Sequence, residues 1–394
     1  MKYNFDTAIN RYHTNSAKWD SAEQLFKVKG ILPMWVADMD FRVPEEVIEA
    51  VRKAADHGIF GYTIVPESYY EALISWLKRR HGWEIQRDWV VLCTGVVPAI
   101  RMLIKAFTQP GDQVIVQSPV YYPFFSVVKD NGCEVLDNPL RLVNGRYVMD
   151  LDDLRRRINK RTRIMLLCSP HNPVSRVWQA EELKMLGNLC LENDIMVISD
   201  EIHEDIVYDG FKHVPFPLVA AEFIQNSIVC TSGSKTFNLA GLKTASVIIA
   251  DAEMRKSFAA VSRSHGLSSP NTFGPIATEA AYRYGEPWLE QLLDYLQENI
   301  AWLTAYAGER IPGLKVIPPE GTYLVWLDFR ACGIKPDRLS KFAREDAGVG
   351  LEAGTVFGCK EEGFERMNIA CTRSTLAEGM GRLEKAVKLL RGIA

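Results

Sequence analysis

Two spacings of apolar residues alternate along the chain from about residue 46. One is the helical period. "VPEEVIEAVRKAADHG", from Val43, opens on Pro44 with acids in its first turn and stops at Gly58, as a capped helix does. "SYYEALISWLKRRHG" from Ser68, "VPAIRMLIKAF" from Val97 and "AEELKMLGNLCLEND" from Ala180 repeat that period. The other spacing is a short run that is apolar throughout: "DQVIVQSP" from Asp112, "TRIMLLCSP" from Thr162, "DIMVISDEI" from Asp194, "SIVCTSGS" from Ser227 and "ASVIIA" from Ala245. Strands apolar on both faces belong at the centre of a sheet covered by helices on either side. The alternation therefore predicts an α/β fold with a mostly parallel central sheet built from βαβ units.

After Pro287 the pattern changes. A long helical stretch, "WLEQLLDYLQENIAWLTAYAGER", leads to "GTYLVWLDF" and to a last helix from about Leu376, which reads as a smaller α+β unit. The expected division is an N-terminal segment 1–45, a large domain 46–286 and a small C-terminal domain 287–394. The first segment is irregular and aromatic-rich, open to packing against either domain or a partner subunit.

Composition narrows the function. A net charge of −3 leaves no basic footprint for nucleic acid or an anionic membrane surface. No apolar run is long enough to span a bilayer, and the first residues lack the apolar core of a signal peptide. The eight cysteines form no C-x-x-C pair, which argues for reduced thiols in a cytoplasmic protein and against zinc or a disulfide framework. No metal is expected.

Ligands of open parallel sheets sit beyond the carboxyl ends of the strands. Standing there are Gly95 ahead of a helix, Tyr121 and Tyr122 after "DQVIVQ", Asn172 after "TRIMLLC", Asp200 and His203 after "IMVIS", and Ser232, Ser234 and Lys235 after "SIVCT". A lysine that condenses with an aldehyde must lose its proton, which desolvation or nearby cations promote. A pyridine-ring cofactor needs a carboxylate opposite its ring nitrogen, and Asp200 suits that place. Asn172 can donate to a ring oxygen, and the turn at Gly95 offers free N–H groups to a phosphate. Taken singly, each has a plainer reading: Asp200 as a cap, Asn172 as a turn residue, the serines as loop chemistry, Tyr121 as core. Their arrival at successive strand ends favours the joint one.

The set "GVVPAI", "SPVYYPFF", "SPHNP", "SDEIHED" and "SGSKTFNLAGL" resembles the fold-type-I pyridoxal-phosphate enzymes of the aminotransferase class I/II superfamily. Within it, "PMWVADMDF" from Pro33, "SDEIH" and "SSP" from Ser268 are similar to the cystathionine β-lyase or cysteine C–S lyase family of MalY/PatB type. The resemblance runs from about Pro33 to Arg373 and implies pyridoxal 5′-phosphate as cofactor, with Lys235 as the Schiff-base lysine and Asp200 as the pyridinium partner. It further implies Asn172 and His203 at the ring oxygen and Tyr121 stacked on the ring. The phosphate would be held by Val96 and Val97 N–H groups, the Ser232 and Ser234 hydroxyls, Lys243, and Tyr62 from the other subunit of a homodimer with shared sites. Arg373 would grip the α-carboxylate of an amino-acid substrate, with Tyr122, Asn172 and Ala37 beside it.

Three positions depart from the family pattern: Ser175 replaces a usual glycine, Lys243 a usual arginine, and Thr372 a common proline. Ser175 raises the expectation of a distorted turn or an extra hydroxyl near the cofactor. "PMWVADMDF" with Tyr122 is expected to form an apolar wall with no arginine for a second carboxylate. The implied activity is α,β-elimination of cystathionine or related cysteine derivatives to pyruvate, ammonia and a thiol. The runner-up is an aminotransferase, and a non-catalytic cofactor-binding regulator ranks below both.

Overall fold

The computed structural model describes residues 3–267, 269–359 and 363–393. Ser268, which opens the "SSP" motif, lies outside them. The amphipathic segments ahead of the first strand fold as α1 (Glu45–Asp56) and α2 (Glu67–His81). Pro44 precedes α1 in an extended conformation, and Gly58 follows it at φ +71°. Lys78, Arg79, Arg80 and His81 crowd the last turn of α2, where cations meet the negative end of the helix dipole.

The large sheet and its connections follow in order: β1 (Val90–Cys93), α3 (Val96–Phe107), β2 (Gln113–Val116), α4 (Pro123–Lys129), β3 (Glu134–Asp137), β4 (Thr162–Cys168), α5 (Ala180–Leu191), β5 (Met196–Asp200) and β6 (Ser227–Thr231). A single turn of helix, α6 (Gly233–Thr236), leads to β7 (Ala245–Ile249). The spatial order is β1-β7-β6-β5-β4-β2-β3, and only β7 runs against its neighbours. Each strand expected from an all-apolar run is present. The two missing from the sequence reading, β1 and β3, form the edges, where four-residue strands are incompletely buried and their apolar runs too short to stand out.

Alternation along β4 explains why the run is apolar on both faces. Ile164, Leu166 and Cys168 pack with Ile100 and Leu103 of α3, while Met165 and Leu167 pack with Leu183, Leu186 and Leu189 of α5. Among the described residues, no helix is long and apolar enough to cross a membrane. Among the described residues no cysteine forms a disulfide, and all but Cys359 are buried.

Beyond α7 (Ala252–Ser264) and α8 (Phe273–Tyr284), the long helix α9 (Glu286–Arg310) introduces a second sheet. Its strands are β8 (Lys315–Val316), β9 (Leu324–Asp328), β10 (Glu352–Ala353) and β11 (Phe364–Asn368), followed by α10 (Arg373–Leu390). Their antiparallel order is β8-β9-β11-β10. The last helix starts at Arg373, ahead of Leu376, because the Thr372 side chain accepts the Thr375 N–H as an N-cap. The uncommon threonine thus has a job of its own.

The N-terminal segment packs on this second sheet and its helix. Leu32–Pro33 pair in parallel with Val349–Gly350, and the Phe5 ring lies 5.0 Å from Phe41 and 5.7 Å from Trp288. Lys18 is buried with its ammonium 2.8 Å from Asp40, and Arg11 bridges Asp38 and Asp40.

Candidate active site

The reversed β7 determines which residues can meet. Because it runs against β6, its N-terminal flank, Lys243 and Thr244, lies at the same edge as the carboxyl ends of β4, β5 and β6. Gly95 (φ +127°) turns the chain from β1 into α3, a conformation that favours glycine. The first-turn N–H groups of Val96 and Val97 have no intrahelical acceptor, and Pro98 has no N–H at all. Ser232 caps α6 by accepting the Ser234 N–H (3.1 Å), and its hydroxyl donates to the Thr244 carbonyl (2.6 Å). That bond ties the end of β6 to the start of β7. The Ser234 hydroxyl makes no hydrogen bond with the described residues. Lys243 is exposed, at φ +49°.

Lys235 Nζ donates to the Ala37 carbonyl at 2.7 Å, and the Tyr323 hydroxyl donates to the same oxygen at 3.1 Å. Burial, reinforced by the Arg366 guanidinium, lowers the Lys235 pKa to about 8, against the pull of Asp38 and Asp200. Asp200 is buried, and its Oδ1 accepts only the Ile202 N–H (3.2 Å). No cation stands within ion-pair distance of it among the described residues, and burial raises its carboxyl to about 7. A buried carboxylate in that state lacks a partner.

His203 is also buried, with Nδ1 unpaired and its ring edge-on to Tyr323. Burial, with repulsion from Lys235 and Arg366, holds the imidazole neutral. Asn172 accepts Arg366 Nη1 on its Oδ1 (3.0 Å), which turns its amide N–H groups elsewhere. They meet no acceptor among the described residues. Tyr121 lies beside these groups: burial raises its phenol pKa, Asp200 adds to the rise, and Arg366 opposes it.

Two expectations need correction. Arg373 is not part of this cluster. Its Nε donates to Asn299 Oδ1 (2.7 Å), its guanidinium lies over the Trp302 ring, and its backbone N–H goes to the Tyr295 hydroxyl. As the first residue of α10 it is held by α9. The guanidinium at the site is that of Arg366, on β11. It is buried, bonded to Asn172 and to the Trp35 carbonyl (2.7 Å), with Nε unpaired. The signal in the sequence was an arginine inside the strand "FERMN", a position costly to fill without a partner.

The second correction concerns "PMWVADMDF". Met34, Met39 and Phe41 are core residues, which leaves the segment only the half-buried Trp35, Val36 and Ala37 and not the continuous apolar wall expected. It presents carbonyls instead: Trp35 to Arg366, Val36 and Asp38 to Asn368 Nδ2 (2.5 and 2.6 Å), Ala37 to Lys235, and Met39 to Asn238 Nδ2 (2.9 Å).

Ser175 adopts φ +58°, the left-handed region where glycine is usual, and its hydroxyl bonds to Thr322 (3.1 Å) and the Leu324 carbonyl. The extra hydroxyl joins the second sheet to the turn. Tyr122 is exposed at the rim. Tyr62 stands fully exposed among Ile59, Phe60 and Ile64.

This edge is a recognisable kind of site: a lysine of lowered pKa, a buried acid lacking a cation, and free amide donors at a helix start. The model of the family described as "Aminotransferase class I and II" matches residues 30–383. The chain is 43% identical to "Cystathionine beta-lyase PatB" of Bacillus subtilis (strain 168), over 98% of its own length and 100% of that protein. It superposes on the crystal structure of cystalysin from Treponema denticola, described as containing a pyridoxal 5′-phosphate cofactor, with a TM-score of 0.95 and 36% identity, covering 99% and 100% of the two chains. It also superposes on the pyridoxal-phosphate-bound C–S lyase of Staphylococcus hominis, with a TM-score of 0.92 and 34% identity over 98% of each chain. The chain belongs to the aminotransferase class I and II family. Its fold is that of the fold-type-I pyridoxal-phosphate enzymes.

Proposed function

We propose that this protein is a pyridoxal-phosphate-dependent C–S lyase that eliminates a thiol from cystathionine or related cysteine derivatives, giving pyruvate and ammonia. The observation that carries it is the pairing of Lys235, its pKa lowered to about 8, with the buried, cation-free Asp200 in a chain 43% identical to a cystathionine β-lyase. The residues present fit the cofactor. Asp200 awaits a cation of the kind a protonated ring nitrogen provides, and the unpaired His203 Nδ1 and the Asn172 amide suit a ring oxygen. Tyr121 supplies an aromatic face. Val96, Val97, Ser234 and Lys243 would hold the phosphate, with Ser232 tying that loop to Thr244.

When bound, the cofactor supplies an electron sink for charge developing at the substrate's Cα. Lys235, the residue that would anchor the cofactor, would then be the base that takes the Cα proton. Arg366, with its planar fork and unpaired Nε, receives the α-carboxylate in the place first expected of Arg373. A carboxylate held there would lie near Lys235, whose charge Arg366 opposes, with Tyr122 beyond Phe357 at the rim. The thiolate leaves from Cβ as the Cα proton is taken, and water completes release as pyruvate and ammonia.

The direct test incubates the cofactor-loaded protein with L-cystathionine and, separately, with L-alanine or L-aspartate plus 2-oxoglutarate. Sustained pyruvate with stoichiometric thiol is expected from the first, and slow exchange from the second. Rapid amino exchange without thiol release would replace this reading with an aminotransferase.

A pH dependence follows from Lys235. Its pKa is lowered from the ordinary lysine value, so the neutral, carbonyl-reactive amine appears as pH rises through about 8. Uptake of pyridoxal phosphate by the cofactor-free protein, followed by visible absorption, should accelerate up to that pH and then level off. Acceleration continuing past about pH 10, as for an exposed lysine, would contradict the environment described.

We further infer a homodimer, supported by the exposed apolar run around Tyr62. Tyr62 would reach the partner's phosphate. Mixing inactive Lys235→Ala and Tyr62→Ala proteins should then restore part of the activity through hybrid dimers, whereas a fully active monomer in sedimentation would defeat the inference. The buried thiols suit a cytoplasmic setting.

A further inference from the structure

Glu352 on β10 stands directly opposite Arg366 on β11, and its Oε2 lies 3.9 Å from Arg366 Nη2. Its side chain keeps 18% exposure and makes no hydrogen bond among the described residues. Arg366 is its one ion-pair partner there, and Arg366 is already divided between Asn172 Oδ1 and the Trp35 carbonyl. The Phe357 ring joins this corner to the rim, 4.8 Å from the Arg366 guanidinium carbon and 6.1 Å from the Tyr122 ring. Tyr122 feels both charges: besides burial, Glu352 raises its phenol pKa and Arg366 lowers it. Glu352, Arg366 and Tyr122 thus share one wall of the site.

This arrangement has an electrostatic consequence that rests on the lyase reading. Once the α-carboxylate occupies Arg366, two carboxylates share one guanidinium, and Glu352 is left short of positive charge at a partly desolvated rim. We propose that Glu352 selects the distal half of the substrate, receiving an ammonium carried by the departing thiol and turning away a second carboxylate. A zwitterionic distal end, such as that of cystathionine, would turn its ammonium toward Glu352 and its carboxylate past the exposed Tyr122 to water. Discrimination here is both attractive and repulsive, so it acts in opposite directions on cationic and anionic substrates. A residue that merely buttressed Arg366 would act equally on all.

The test compares three S-substituted L-cysteines of similar length, whose departing thiols carry an ammonium (S-aminoethyl), no charge (S-propyl) or a carboxylate (S-carboxyethyl). In the natural protein kcat/KM should fall in that order. In Glu352→Gln the ammonium-to-neutral ratio should drop about tenfold and the carboxylate-to-neutral ratio should rise. Glu352→Asp, which keeps the charge, should retain the natural order. A common factor for all three substrates in Glu352→Gln, or a natural preference for the carboxylate, would overturn the proposal. If no thiol is released from any of them, the lyase reading falls by itself. The order of the three dissociation constants, measured by calorimetry on the natural and Glu352→Gln proteins, then decides for or against Glu352.

Discussion

In the Lys235→Ala protein, thiol release from cystathionine should fall by at least about 10⁴-fold while the fold persists. One amine serves as both the attachment point and the base, so its loss removes two functions together. Stability should change little, by about 1 kcal/mol, because the Ala37 carbonyl that accepts from Lys235 keeps the Tyr323 hydroxyl as a donor. Three readouts separate these effects: pyruvate formation, the visible absorption that pyridoxal phosphate acquires on attachment, and the thermal midpoint. Full turnover, or unchanged visible absorption, would take Lys235 out of its role.

The second large effect concerns the arginines. Arg366→Ala should lower kcat/KM by roughly 10³-fold, since truncating one partner of a buried, hydrogen-bonded charge pair in a complex typically costs about 2–5 kcal/mol. Asn172, the Trp35 carbonyl and Glu352 would all lose their cation. Arg366→Lys should recover only part of this, because an ammonium restores charge without the fork. Arg373→Ala, which takes the donor from Asn299 Oδ1 and uncovers the Trp302 ring, should cost less than tenfold in kcat/KM. If Arg373→Ala abolished activity and Arg366→Ala spared it, the assignment from sequence would stand after all. Steady-state kinetics on the folded variants decides between them.

The contrast between those arginines shows what could be read in advance. Central strands were legible because β4, β5 and β6 are apolar on both faces, and residues at their ends followed at once. Lys235, Asp200, Asn172 and His203 all come from such ends. Arg366 comes from inside a strand of the other sheet, and what brings it to Asn172 is tertiary packing that local periodicity does not encode. Arg373 was attractive because it sits where the chain changes from strand to helix. Only the Thr372 cap shows that it already belongs to the helix and faces Asn299. The expectation for "PMWVADMDF" failed for another cause: Met34, Met39 and Phe41 are buried in the core, whereas the bonds made to Lys235 and Arg366 come from main chain.

That last feature bears on how the protein tolerates change. Carbonyls of five consecutive residues, 35 to 39, accept from Lys235 and Asn238 on one flank and from Arg366, Asn368 and Tyr323 on the other. An oxygen that every amino acid carries is indifferent to which amino acid carries it. Partly exposed Trp35, Val36 and Ala37 can therefore drift in identity with little effect on these bonds, and scanning them one at a time would understate their importance. Losing or gaining one residue within the run would instead move every acceptor along by a position, away from donors fixed on α6 and the segment after it on one flank and on the second sheet on the other. The bonds thus constrain the segment's length more tightly than its side chains.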